Sequence, residues 1–110
     1  MDPLLDLRDP QAFRNAEAAE VLRQVIDPEM GLDVISMGLV YEVRSEDKGI
    51  QVIMTLTSRG CPMGQMIVGQ AAALLQDHFP DLDVHVHLVW EPKWTADRMS
   101  PEAKTFLGWG

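Results

Sequence analysis

With 110 residues, 46% of them hydrophobic and 24% charged, the chain is long enough for one domain around one modest core. A formal net charge of -8 with no cluster of Lys or Arg excludes a surface built for nucleic acid or for an anionic membrane. The longest apolar runs fall far short of a membrane span, and the start Met1-Asp2-Pro3-Leu4-Leu5-Asp6 has neither the basic region nor the apolar stretch of a secretory signal. A single cysteine forms no intramolecular disulfide, which fits a reducing compartment, so the cytoplasm is the expected location.

Residues 1–8 read as a flexible lead-in, and 9–110 as a single domain. Asp9-Pro10 has the form of a helix start, with Asp9 as N-cap and Pro10 in the first turn. The helix is predicted to run to about Val25, burying a stripe of Ala18, Leu22, Val25 and Ile26 with Val21 beside it. Pro28 stops it. Asp27-Pro28-Glu29-Met30-Gly31-Leu32-Asp33 is then a loop with three carboxylates, either a solvated turn with local Asx hydrogen bonds or a functional loop.

Val34 to Met37 is predicted to be extended, with a bend at Gly38 and a strand from about Leu39 to Arg44. Ser45-Glu46-Asp47-Lys48-Gly49 is a polar hairpin turn in which Gly49 offers a positive φ. Ile50, Val52, Met54 and Leu56 alternate with Gln51, Ile53, Thr55 and Thr57, which is the period of a returning antiparallel strand.

That strand leads into Thr57-Ser58-Arg59-Gly60-Cys61-Pro62, and a helical pattern follows at Met63, Met66, Ile67, Ala71, Leu74 and Leu75. Pro62 suits a first helical turn, so the only cysteine, Cys61, falls at or just before a helix N-terminus. Unpaired amides and the positive end of the helix dipole favour a thiolate there, and Arg59 adds positive charge. Such a setting lowers a thiol pKa from about 8.5 toward neutrality. The plainer reading is a small buried apolar side chain. The helix is predicted to end near Phe79, before Pro80.

Asp83 to Val89 reads as a third strand, with Val84, Val86 and Leu88 on one face and Asp83, His85 and His87 on the other. Without a further ligand nearby, the two histidines read as an exposed polar face and not as a zinc site. Trp90-Glu91-Pro92-Lys93-Trp94 continues extended, its tryptophans capping the core or lining a groove. A last short helix takes Ser100 as N-cap and Pro101 next, packs Ala103, Phe106 and Leu107, and ends at Gly108. The fold class is α+β: a two-layer domain with a small, mainly antiparallel sheet of about three strands and helices on one face.

Asp27-Pro28-Glu29, Gly38-Leu39-Val40-Tyr41, Thr55 through Pro62, Val89 through Trp94, Arg98-Met99-Ser100-Pro101 and Leu107-Gly108 occur in an order that resembles the SufT/PaaD-like family of metal–sulfur cluster biosynthesis proteins. The likeness spans about residues 18–108. It implies an iron–sulfur cluster assembly-type domain with a reactive Cys61 and with Asp27, Glu29, Thr57 and Ser58 around the thiol. Ser58 stands where the family commonly has a second threonine, which keeps the hydroxyl. The cysteine-rich C-terminal extension of PaaD members is absent from this sequence, which weakens a role as an auxiliary protein of phenylacetate-type aromatic degradation.

Iron–sulfur clusters are usually held by four thiolates, and this chain supplies one. A cluster bound through Cys61 would therefore be transient, with further ligands from a second chain, a small thiol or a client. The expected function is a non-catalytic maturation factor (carrier or adaptor) working with iron–sulfur assembly proteins or apo clients, and a homodimer is expected. A cysteine-nucleophile enzyme is disfavoured, because His78 lies about 25 Å from Cys61 along the helix at 1.5 Å per residue. A pure interaction module using Trp90, Trp94 and Met99 is the third reading.

Overall fold

A computed structural model describes residues 10–57 and 63–108, the side chains of 10–13 excepted. The order is α1 (Pro10–Leu22), β1 (Ile26–Asp27), β2 (Leu32–Asp33), β3 (Val40–Ser45), β4 (Gly49–Met54), α2 (Gly64–His78), β5 (Asp83–Leu88), a 3-10 turn (Ala96–Arg98) and α3 (Pro101–Leu107). The expected α+β domain is present: a three-stranded sheet in the order β3-β4-β5, with α1 against β3, α2 against β5 and the two helices against each other.

The alternation of β4 places Ile50, Val52 and Met54 fully inside, facing Ile67, Ala71 and Leu75 of α2 and Ala18, Leu22 and Val25 of the first helix and its exit. Each such side chain contributes about 1.5–3 kcal/mol of burial free energy. The sheet is mixed: β3 pairs antiparallel with β4, whereas β5 pairs parallel with it, Ile50 opposite Val84 and Met54 opposite Leu88. A parallel return needs a long crossover, which α2 supplies.

Several local expectations are corrected. Ile26 belongs to β1 and is 44% exposed, because the chain leaves the helical path after Leu22. Residues 34–38 form turns and not an extended piece: Asp33 Oδ2 accepts the amides of Ile35 and Ser36, each at 3.0 Å, and Met37 N–H reaches Asp33 O. Gly49 does not adopt a positive φ; a Cβ there would lie 2.8 Å from the Asp83 carbonyl, so its smallness admits β5. On α2, Met66 is half exposed and outside the buried stripe. On α3, Phe106 is 68% exposed, while Ala103 and Leu107 pack inward.

The last segment is strapped across the start of β3. Ser100 N–H donates to Ser36 O at 2.9 Å and Trp94 Nε1 to Met37 O at 2.7 Å. A bulge at Tyr41 turns its side chain so that the hydroxyl donates to Pro92 O at 2.7 Å. The Arg98 guanidinium lies 4.5 Å from the centre of the Tyr41 ring. Gly38 has a φ of 72° and lies against Arg98, whose carbonyl oxygen would be 2.1 Å from any Cβ at that position.

Candidate functional site

The sheet gathers the motif-bearing segments at one end. Met54 at the end of β4 lies opposite Val40 at the start of β3 and Leu88 at the end of β5. Thr55-Leu56-Thr57 and Trp90 to Trp94 therefore leave the same edge of the fold. The β1–β2 hairpin joins them through backbone bonds: Val34 N–H to Val25 O, Leu39 N–H to Val34 O, and Thr55 N–H to Leu39 O at 2.8 Å. Gly64, at the start of α2, sits tightly over Leu56, whose Cδ1 would be 2.5 Å from a Cβ there.

Between Thr55–Thr57 and Trp90–Trp94 is a cleft of about 460 Å³, lined by Thr55, Leu56, Thr57, Trp90, Glu91, Lys93 and Trp94. Thr55 is buried, whereas Thr57 is half-buried and is the last described residue before Cys61. The tryptophans fill both roles open to them. Trp94 is half-buried, fixed through its indole N–H to Met37 O, and still presents surface to the cleft. Glu91, whose peptide bond to Pro92 is cis, and exposed Lys93 put one charge of each sign at the rim. The Trp-Glu-Pro-Lys-Trp spacing was the signal for this wall, but its two charged residues were not singled out as candidates.

Cys61 and Ser58 lie outside the described residues. Asp27 is almost fully buried, and its Oδ1 accepts the Glu29 amide at 2.9 Å, while its carbonyl takes the amides of Met30 and Gly31. Its carboxylate is thus engaged in closing the β1–β2 turn. The Glu29 side chain is exposed. Met99 is 4% exposed within the core, so it is not part of a groove with Trp90 and Trp94. His78 meets Glu17 of α1 at 2.8 Å, and His85 and His87 stand on the exposed face of β5. No histidine is among the described residues lining the cleft. Nor do the described residues gather three metal-ligating side chains of the His, Cys, Asp and Glu type. No helix among them is long and apolar enough to cross a membrane.

The fold and its cleft define a small α+β domain that presents Thr55–Thr57 and an aromatic wall at one end of its sheet. The chain belongs to the iron–sulfur cluster assembly protein family, whose model matches residues 15–88. That match ends before the Trp90–Trp94 wall. The chain is similar, at 49% identity over 76% of its length and 97% of the relative's, to the Fe-S protein maturation auxiliary factor SufT of Staphylococcus aureus. It is 47% identical to the Fe-S protein maturation auxiliary factor YitW of Bacillus subtilis over 79% of its own length and 86% of the relative's. Among solved structures, a domain of unknown function, DUF59, from Bacillus anthracis superposes with a TM-score of 0.85 at 38% identity, covering 89% of this chain and 94% of that one.

Proposed function

We propose that this chain is an auxiliary factor for maturation of iron–sulfur proteins, acting through Cys61 on iron or a nascent cluster as its cargo. The observation that carries the reading is its likeness, at 49% and 47% identity, to two relatives named as such factors. The chemistry of the chain agrees with it. One cysteine per chain cannot complete a four-thiolate cluster, so cargo held by Cys61 keeps open positions that a client's thiolates fill. That suits hand-over better than permanent storage, and it asks no catalytic step of the protein.

In this reading the thiol of Cys61 is the cargo ligand, and Thr57 and Ser58 supply hydroxyl donors to thiolate or sulfide. Glu29 offers a carboxylate free to approach iron, whereas Asp27 holds the hairpin that carries Glu29. The cleft receives a segment of the assembly protein or apo client. The test is anaerobic reconstitution of wild type and Cys61→Ala with iron and sulfide, followed by visible absorption and metal content. Cysteine-dependent uptake of iron and sulfide is expected. Equal uptake by both proteins, or none by either, rejects Cys61 as the cargo ligand.

A further inference from the structure

Strand β5 is an edge of the sheet. The amides of Asp83 and Val89 donate to Lys48 O and Met54 O of the β4 side, at 2.9 and 2.8 Å. Along a strand these directions alternate, so Val84, Val86 and Leu88 turn their N–H and C=O groups outward. Among the described residues these groups have no backbone partner. The segment Asp83–Leu88 contains no Lys, no Pro and no bulge, the usual devices that keep an edge from pairing.

We infer that the occupant of this edge is a second copy of the chain, with β5 antiparallel to β5 about a two-fold axis at Val86. The sequence is self-complementary in that register. Val86 faces Val86 of the second copy, and Val84 faces Leu88, so each outward residue exchanges both backbone bonds with an apolar counterpart. On the exposed face His85 lies opposite His87, and the strand's one carboxylate, Asp83, lies opposite Val89, so no like charges meet. The half-buried row Val84, Val86 and Leu88 continues across the axis, and two three-stranded sheets become one. The interface is isologous and closes at two copies. The antiparallel arrangement sends the two Thr55–Thr57 ends in opposite directions, so each cleft works alone with its client. The inference rests on strand geometry and is independent of the thiol chemistry.

The test is sedimentation velocity on wild type and three double variants of the two exposed histidines, with circular dichroism to verify folding. Wild type is expected to dimerise reversibly, more tightly at high salt because each copy carries a net charge of -8. H85E/H87E and H85K/H87K set like charges opposite each other twice, and each is expected to weaken the dimer by about tenfold. H85K/H87E sets opposite charges together in this register and is expected to restore association to the wild-type level or beyond. A wild-type protein that stays monomeric up to about 1 mM overturns the inference. So does a dimer indifferent to all three variants, or one in which H85K/H87E dissociates like the two like-charged variants.

Discussion

Asp27 and Glu29 are two residues apart and the fold uses them differently. Asp27→Ala removes the buried acceptor of the Glu29 amide and should destabilise the protein by about 1–2 kcal/mol, whereas Asp27→Asn keeps an acceptor and should recover most of that loss. Glu29→Gln should leave stability within about 0.5 kcal/mol, since the side chain is exposed, and should lower cysteine-dependent iron uptake if its charge serves the cargo. Urea denaturation checks stability, and iron content after reconstitution checks function. A folded Glu29→Gln protein with unchanged uptake would remove that carboxylate from the site. Gly38 is a second decisive position: Gly38→Ala combines a left-handed backbone with a collision against Arg98 O, and a loss of roughly 2–4 kcal/mol is expected by the same denaturation. Nothing local in the sequence names that contact, because its partner lies sixty residues away; only the bend at Gly38 was legible.

Among the elements, those with a strong period were readable in the sequence. The alternation of Ile50, Val52, Met54 and Leu56 gave both the strand and its buried face. Ser100, Pro101 and Gly108 marked α3: Ser100 Oγ accepts the Ala103 amide at 3.1 Å, and Gly108 closes the helix at a φ of 76°. Ser100→Ala should therefore cost about 1 kcal/mol and speed hydrogen exchange at the Ala103 amide; unchanged exchange would show that packing alone holds the helix start. The direction of β5 was not legible, because alternation identifies a strand without saying which way it runs beside its neighbour. Helical spacing also suggested Met66 and Phe106 as buried, yet both are exposed, outside the buried stripe of their helices, which sequence periodicity alone does not fix. The β1–β2 hairpin is not legible in the sequence, because two-residue strands are too short to show a period.

At the scale of the whole molecule, the sheet brings together segments that are distant in sequence: the Asp27 hairpin, Thr55–Thr57 and the Trp90–Trp94 wall. The motif spacing made each piece visible, and the fold supplied their common end. Trp94, where the strap toward α3 begins, is part of the cleft wall, so Trp94→Phe should lose the bond to Met37 O, about 1 kcal/mol, and lower the melting temperature by roughly 4–8 °C. An unchanged melting curve would detach that wall from the stability of the fold. The central claim is that Cys61 hands iron–sulfur cargo to a client. Its most direct test is the anaerobic activation of an apo iron–sulfur enzyme supplied with iron and sulfide, comparing wild type, Cys61→Ala and Lys93→Ala. Acceleration is expected with wild type, none with Cys61→Ala, and reduced acceleration with Lys93→Ala, which alters the rim of the cleft and leaves the thiol in place. Acceleration by Cys61→Ala equal to that of wild type would contradict it and leave the cleft, without the thiol, as the working part of the molecule.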